Sequence, residues 1–532
     1  MAQPASEAAP AALDAPTSMA PATPGPPTLP EAAAAPASPF ADLPVLRGSD
    51  DGEGGRLIAQ HYGTNPTVET RVQPLSTFSV DVDTAAWSLA RATLHAGYLP
   101  DPAAVRVEEF VNSFRYDYPP PLAKEGRSEP FSVVAEAFPS PNRHGYHVLL
   151  LGLKGRVIEE RTRPPANLVF VVDVSGSMEG PRLQMVKDAL GVLVERLRED
   201  DAVSLVVYGS SARVALPPTS GAEKARILDA LAHLRPEGST HVQAGLLLAY
   251  EVAKERAAGR VTRLLLCSDG VANSGVTDAD GIFATIDKRA QQGMALTTVG
   301  VGMGGYNDVL MEKLAVHGQG RYVYVERLAE ARRVFAENLG GTLVNIASDV
   351  KIQVELDPTA VERYRLLGYE NRHLQSHQFA DDRVDAGEIG AGHEVTALYE
   401  VKLRAGADRI GWLRVRSKEP GQESSRLIEE ELTLRLVRRT LAESSATSRL
   451  SLVAAGFAEK LRGSYWARNL GWAELQSQWR ALPAELRRRS DVAELGALLT
   501  RAAALDQRGD RFERELPLAQ MDFDHLPRGA GP

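Results

Sequence analysis

Five oxygen-bearing side chains are spaced so that together they could bind one divalent cation. They are Asp173, Ser175, Ser177, Thr240 and Asp269. The first three alternate along a short segment, so a turning loop can direct all three side chains to the same side. Carboxylate and hydroxyl oxygens are hard ligands, which favour Mg2+, Mn2+ or Ca2+ over zinc or copper. Because the charged ligands are few and water has room to bind, we predict Mg2+, with Mn2+ and Ca2+ as alternatives.

This incomplete ligand set leaves one coordination position for a group from outside the chain. A carboxylate of another protein can fill it, which predicts a docking point for a partner with an acidic side chain. Metal-dependent hydrolysis is an alternative, but it needs a general base near the metal, and the sequence offers no clear candidate. The chain also contains no G-x-S-x-G, H-E-x-x-H or Walker lysine motif. We therefore expect no catalytic residues and no enzyme.

The elements around these residues predict an α/β domain with a doubly wound parallel sheet. Continuously apolar strands alternate with amphipathic helices, which is typical of a sheet covered on both faces. In such folds ligands bind at the carboxyl ends of the strands. Asp173 and Asp269 follow strands, and Thr240 precedes a helix. The predicted strands of this domain are 168–172, 202–208, 264–267, 296–301 and 322–325.

Strand patterns also flank the central domain on both sides. We infer that they pair in one β-sandwich with the central domain inserted between its strands, and two separate β units are the alternative. After about residue 444 the spacing of apolar residues becomes helical. The predicted parts are a disordered Ala/Pro-rich linker (1–58), a region of helices then strands (59–163), the central domain (164–345), a β-rich region (346–440), a helical region (441–510) and an irregular tail (511–532).

Composition excludes several classes of protein. The chain has 532 residues and a formal net charge of -9, which argues against nucleic acid as its main ligand. It contains no stretch of about 18 apolar residues that could span a membrane. Its single cysteine, Cys267, can form neither an internal disulfide nor a cysteine-rich zinc site, and its apolar neighbours predict burial.

Two other motifs suggest alternative chemistry. Asp81 and Asp83 resemble the Asp-x-Asp start of haloacid-dehalogenase-type phosphatases, but Thr84 stands one place too early and no suitable α/β domain follows. The glycines at 300, 302 and 305 fit the spacing of a dinucleotide-binding loop. They follow a late strand of the predicted sheet, whereas such a loop follows the first strand. We therefore predict no bound organic cofactor.

The order D-x-S-x-S, a distant threonine and a distant aspartate at a strand end resembles the metal-ion-dependent adhesion site of von Willebrand factor A-type (vWA) domains. All five residues named above match this pattern. The resemblance implies that the two serines and the threonine lie closest to the metal. It also implies that the aspartates complete the site directly or through water, and that the fold is Rossmann-like.

Segments outside the central domain are similar to the YfbK-like family of bacterial vWA lipoproteins. They include STFSVDVDTAAW (76–87), YRLLGYENR (364–372) and SYWARNLGWAEL (464–475). The resemblance implies the bacterial cell envelope or periplasm. This sequence shows no signal peptide, and its only cysteine lies within the fold, so we expect the family's lipid anchor to be absent from this chain.

Together these patterns predict a metal-dependent protein–protein interaction module, acting in adhesion or as a scaffold. The partner is an unknown protein that donates an acidic side chain to the metal. A structural or assembly protein of the cell envelope, acting by self-association, is the alternative. A metal-dependent hydrolase is the weaker one.

Overall fold

The structure is a computed structural model that describes residues 62–80, 83–124, 127–270, 279–302, 307–337, 341, 343–382, 386–406, 408–420, 422 and 424–508. The predicted linker 1–58, the predicted tail 511–532, Asp81 and the glycine at 305 lie outside these residues. Within them, no helix combines the length and apolar character needed to cross a bilayer.

The part of the chain before the central domain contains short helices between two groups of strands. Its strands are β1 (Val68–Glu69), β2 (Leu75–Ser79), β3 (Ala123–Lys124), β4 (Arg127–Ser128), β5 (Phe131–Pro139) and β6 (His147–Gly155). Its helices are α1 (Ala85–His95) and α2 (Val107–Asn112), both between β2 and β3.

The central domain alternates strands and helices, as its apolar periodicity predicts. Its strands are β7 (Ala166–Asp173), β8 (Ala202–Tyr208), β9 (Ala212–Ser220), β10 (Val261–Ser268), β11 (Met294–Val301) and β12 (Tyr322–Val325). Its helices are α3 (Pro181–Glu195), α4 (Lys224–Ala232), α5 (Val242–Lys254), α6 (Ala279–Ala290), α7 (Asp308–His317) and α8 (Leu328–Arg332). A π-helical turn at Arg333–Glu337 follows α8.

The remaining chain is first β-rich and then helical. Its strands are β13 (Asn345–Leu356), β14 (Val361–Leu367), β15 (Gly387–Gly390), β16 (Glu394–Leu403), β17 (Arg409–Lys418) and β18 (Ser425–Thr433). Its helices are α9 (Ala446–Arg462), α10 (Trp472–Arg480), α11 (Ala484–Arg488) and α12 (Ser490–Leu505).

Six strands form the central sheet in the order β12-β11-β10-β7-β8-β9. All neighbours are parallel except β9, which runs antiparallel to β8 at the edge. Every residue of β7 and β8 is buried, as expected for strands covered by helices on both faces. Cys267 lies inside β10 and is buried, as its apolar neighbours predicted. The carboxyl ends of β7 and β10 therefore lie side by side.

Strands from both sides of the central domain share the same two antiparallel sheets. One sheet has the order β1-β14-β16-β6-β5, so β6 pairs with a strand that lies beyond the central domain in sequence. The other contains β15-β13-β17-β18, and β2 pairs with β13. Leu151 of the first sheet and Val354 of the second belong to one hydrophobic cluster. The central domain is therefore inserted between strands of a sandwich, and the alternative of two separate β units is wrong.

A helical layer covers the outer face of the first sheet. Leu150 and Leu398 point away from the sandwich interior and pack in a cluster with helices α1, α2, α9, α10 and α12. Phe110 of α2 makes edge-on ring contacts with Trp87 and Phe457 at 5.2 and 5.9 Å. Aromatic packing therefore joins helices that are more than 300 residues apart in sequence.

A buried ion network also connects α9 to the first sheet. Arg365 of β14 is 2% exposed and donates from Nε to Glu400 Oε2 at 3.0 Å and from Nη1 to Glu459 Oε2 at 3.2 Å. Arg143 donates to the same Glu400 oxygen at 3.0 Å.

The predicted fold class, an inserted vWA-type domain between β-rich segments with a helical region after them, is confirmed. The exact domain limits stay predictions.

Candidate metal-binding site

Asp173, the last residue of β7, lies at the centre of the candidate site. Its side chain is fully buried. Oδ1 accepts a hydrogen bond from the backbone N–H of Ser175 at 2.8 Å, and Oδ2 accepts one from the Ser268 hydroxyl at 2.9 Å. The first bond shapes the turn after β7, and the second joins β7 to the end of β10. The carboxylate is thus fixed where the two neighbouring strands end.

The two serines follow in that turn and point to the same place. The Ser175 and Ser177 hydroxyl oxygens are 3.1 Å apart. Gly176, between them, donates its backbone N–H to the carbonyl of Gly238 at 3.0 Å. This bond connects the turn to the loop that contains Thr240. The turn therefore brings the two serine side chains to one side, as their alternation with Asp173 in the sequence predicts.

Backbone hydrogen bonds hold the loop that contains Thr240 against the turn after β7 and the segment after β8. Gly238 has a φ of +72°, and a Cβ there would lie 1.9 Å from the Ser210 hydroxyl oxygen, so only glycine fits. The N–H of His241 donates to the carbonyl of Gly209 at 3.1 Å. Thr240 lies between these positions, two residues before α5 begins, and is 3% exposed. Its connection to the turn after β7 runs through the backbone of this loop.

Asp269, directly after β10, completes the group of acidic residues and is also fully buried. Its Oδ2 accepts a hydrogen bond from Arg182 Nη1 at 2.7 Å, and the same nitrogen donates to the Ser177 carbonyl at 2.8 Å. Gly302 leaves the space for this arginine, since a Cβ there would lie 2.6 Å from Arg182 Cγ. Arg182 therefore provides a positive charge next to one of the predicted ligands.

The electrostatics of the site favour a bound cation. Burial raises the pKa of Asp173, the Ser175 and Ser268 hydrogen bonds lower it, and the nearby Asp269 raises it further. The two carboxylates repel each other, and Arg182 offsets part of this repulsion by pairing with Asp269 Oδ2, on the side of Asp269 alone. Among the described residues no three His, Cys, Asp or Glu side chains converge as metal ligands. The donor set is two carboxylates and hydroxyl groups, whose chemistry fits Mg2+.

All five residues predicted from the sequence lie at this edge of the sheet, either at the end of β7 or on the loops joined by the bonds above. Their role as metal ligands remains a prediction. Sequence reasoning did not assign Ser268 and Arg182 to the site. Ser268 could have been found as the neighbour of Asp269 at a strand end. Arg182 could not, because its position in the first turn of α3 gives no sign of the direction of its side chain.

The two alternative motifs have structural roles in the described part of the chain. Asp83 is buried, its Oδ1 accepts the backbone N–H of Tyr322 at 2.9 Å, and its Oδ2 lies 3.4 Å from Arg372. The carbonyl of Gly302 accepts the Tyr324 hydroxyl at 2.6 Å. These contacts give no support to the phosphatase or dinucleotide hypotheses.

The order of the central sheet and its loops defines a vWA-type domain, and residues 167–337 match the family model "von Willebrand factor type A domain". Residues 59–150 match "von Willebrand factor", and residues 341–505 match "Uncharacterized protein YfbK, C-terminal". "Uncharacterized protein YfbK" of Escherichia coli is 36% identical over 450 residues, covering 80% of this chain and 77% of that protein. The chain belongs to the YfbK family of vWA-domain proteins.

Two other proteins are similar to a smaller part of the chain, and their sequence identity to it is lower. "Uncharacterized protein sll0103" of Synechocystis is 27% identical over 307 residues, covering 56% of this chain and 72% of that protein. The solved structure "von Willebrand factor type A from Catenulispora acidiphila" has a TM-score of 0.41 and 16% identity. It covers 72% of this chain and 89% of that one.

We predict that Arg182→Gln strengthens Mg2+ binding. Arg182 places a positive charge beside Asp269 Oδ2, and this charge repels a bound metal ion. Because the arginine side chain is 24% exposed, solvent screens its charge and the repulsion is modest. Asp269 is buried and Arg182 is only partly exposed, so we expect a gain of about 1 kcal/mol, equal to roughly fivefold in Kd. Isothermal titration with Mg2+ measures the change. Arg226→Gln, an exposed arginine on α4, is the control and should leave Kd unchanged. Weaker binding by Arg182→Gln would show instead that the arginine positions Asp269.

Proposed function

We propose that the chain is a metal-dependent protein-interaction module, in which one Mg2+ at the vWA site binds a carboxylate of a partner protein. The observation that supports this most is the pair of buried carboxylates, Asp173 and Asp269, at one edge of the sheet beside the paired hydroxyls of Ser175 and Ser177. A buried acidic pair next to neutral oxygen donors is suited to a hard cation.

The surroundings of the site suit docking of another molecule. Asp173, Ser175 and Thr240 are buried, whereas Gly176 and Ser239, on the same two loops, are exposed. A partner group can therefore approach the donors from solvent without any change in the core. Exposed residues beside a buried donor set suit the approach of a side chain from another protein.

In this proposal Ser175, Ser177 and Thr240 would bind the metal, with Asp173 and Asp269 completing its surroundings. The metal would supply a positive charge and a coordination position for the incoming carboxylate. Asp173 is kept in place by the Ser175 N–H and the Ser268 hydroxyl, which fix both of its oxygens. The proposed activity is binding, and no catalytic residue is assigned.

Capture of a partner, followed by substitution of that partner, tests the proposal. The immobilised full chain is exposed to an extract of the cells that produce it, in Mg2+ and in EDTA, and captured proteins are identified. We expect a protein that is retained in Mg2+ and released by EDTA. Replacing the acidic residues of that protein in turn should abolish its retention at one position. Retention that is equal in EDTA, or that no acidic residue affects, would contradict the proposal.

Sedimentation velocity of the chain alone separates recruitment from self-association. A recruitment module keeps the same sedimentation coefficient in Mg2+ and EDTA, whereas a self-associating scaffold forms larger species that EDTA dissolves.

We also propose the bacterial cell envelope or periplasm as the location, on the similarity of the flanking segments to bacterial vWA lipoproteins. Fractionation of cells expressing the full-length gene tests this location.

A further inference from the structure

Tyr208, the last residue of β8, lies beside the candidate metal site on the same face of the central sheet. It is paired in register with Asp173 at the end of β7. Tyr208 belongs to the hydrophobic cluster that also contains Val171 of β7 and Leu266 of β10. Because side chains alternate along a strand, Asp173 and Ser268, each two residues further along its strand, face the same side. The ends of three neighbouring strands thus place Tyr208, Asp173 and Ser268 in one row.

The hydroxyl of Tyr208 is enclosed next to the metal site. The side chain is fully buried, and within the described part of the chain its hydroxyl meets no group in hydrogen-bonding geometry. The ring passes directly beneath α5, since a Cβ on Gly245 would lie 2.6 Å from Tyr208 Cδ1. Leaving a buried hydroxyl without a partner is unfavourable. A small adjustment that gives this hydroxyl an acceptor is therefore favoured.

The groups that act on the Tyr208 hydroxyl are those of the metal site. Burial raises the pKa of Tyr208 well above its ordinary value, the charge of Asp173 raises it further, and the neighbouring Ser268 hydroxyl lowers it. The phenol therefore keeps its proton at neutral pH and can serve as a hydrogen-bond donor.

Ser268 can accept this proton. A serine hydroxyl donates one hydrogen bond and accepts two. Ser268 Oγ donates to Asp173 Oδ2 at 2.9 Å and accepts the backbone N–H of Gly270 at 3.1 Å. Among the bonds of the described residues, one acceptor position on Ser268 is left. Tyr208 is the neighbouring donor that can fill it.

We propose that Tyr208 is a positioning residue of the metal site, which donates to the Ser268 hydroxyl and so holds the Asp173 carboxylate in place for Mg2+. This inference rests on the function proposed above, because it concerns the same site. With both acceptor positions of Ser268 filled, its own hydrogen is committed to Asp173, and each bond in such a chain polarises the next. Hydrogen bonds in the outer shell of a metal site orient the groups that bind the metal.

Tyr208→Phe tests the proposal, because it removes the hydroxyl and keeps the ring beneath α5. We expect the Kd for Mg2+ to rise about tenfold, as loss of an outer-shell hydrogen bond does. Isothermal titration of the full chain measures this Kd. Urea unfolding in EDTA should be the same as for wild type, since the hydroxyl forms no hydrogen bond within the described chain.

Tyr250→Phe is the matched control. Tyr250, on α5, belongs to the same hydrophobic cluster, and its hydroxyl is also buried without a partner among the described residues. The charges that act on that hydroxyl are those of Arg289 and Asp287, away from the metal site. Tyr250→Phe should therefore bind Mg2+ like wild type.

A double variant with Ser268→Ala separates an effect through Ser268 from an effect on packing. Ser268→Ala alone should weaken Mg2+ binding, because Asp173 loses one donor. In that background Tyr208→Phe should cause no further loss, since Tyr208 acts through Ser268. A packing role would instead add to the loss and would lower stability in EDTA.

The possible results distinguish this proposal from the proposed function. If wild type binds Mg2+ and Tyr208→Phe binds it equally well, the role of Tyr208 is overturned and the proposed function stands. Losses that add in the double variant, or lower stability of Tyr208→Phe in EDTA, would also overturn it. If wild type binds no Mg2+, both proposals fail together.

Discussion

Replacing Asp173 by asparagine is expected to weaken Mg2+ binding strongly while leaving the fold intact. Asparagine can still accept the Ser175 N–H through its carbonyl oxygen and can donate to the Ser268 hydroxyl, so both contacts of the aspartate have a substitute. It cannot supply the negative charge. Losing one of two carboxylates should weaken binding by about 100-fold or more, as removal of a charged partner from a buried site does.

Isothermal titration with Mg2+ measures the loss, and circular dichroism shows whether the fold survives. Asp229→Asn is the matched control, because Asp229 lies on α4 with its side chain 72% exposed. That variant should bind Mg2+ like wild type. If Asp173→Asn bound Mg2+ as tightly as wild type, the assignment of the site would be wrong. The same variant would also be expected to lose any partner captured in Mg2+.

The largest loss of stability is expected for Glu459→Gln. Glu459 is buried, and its carboxylate accepts Arg365 Nη1 at 3.2 Å, the Ser464 hydroxyl at 2.7 Å and Arg462 Nη2. Removing its charge leaves two buried arginines with one carboxylate fewer. Breaking a buried pair in this way costs about 3 kcal/mol or more of the free energy of unfolding. Urea unfolding at neutral pH measures it.

The same substitution should change how stability depends on pH. Burial raises the pKa of Glu459, but Arg462 and Arg365 lower it more, to about 2, from an ordinary value of 4.5. A lowered pKa in the folded state adds stability above about pH 4.5, and that stability is lost as pH falls toward about 2. The difference between wild type and Glu459→Gln should therefore shrink over this range. Glu431→Gln, in an exposed pair with Arg409, should cost less than about 1 kcal/mol at any pH. A constant difference between wild type and Glu459→Gln would refute the charge-based explanation.

The local parts of the candidate site could be predicted because their signals are local. Asp173 and Asp269 each follow a continuously apolar run, and parallel strands bring such ends to one edge. The alternation of Ser175 and Ser177 with Asp173 lies within a single turn. Thr240 is identified by its order along the chain. The bond that positions its loop, from Gly176 to Gly238, joins two distant glycines, and the sequence does not indicate that they meet.

The sequence predicted that strands flank the central domain, but not which of these strands pair with each other. Alternating residues predicted strands before and after the central domain, but nothing in them specifies that β6 pairs with β16 or that β2 pairs with β13. Arg365 shows a further limit, since a charged residue within a strand indicates exposure unless its buried partners are known.

The insertion of the central domain determines how the molecule would respond to mechanical load. Tension applied across the flanking segments meets two antiparallel strand pairs first, β2 with β13 and β6 with β16. These pairs connect the chain on either side of the insertion, so the force bypasses the central sheet as long as they remain intact. A partner bound at the edge near Asp173 would thus be held by a domain that stays unloaded until the surrounding sandwich yields.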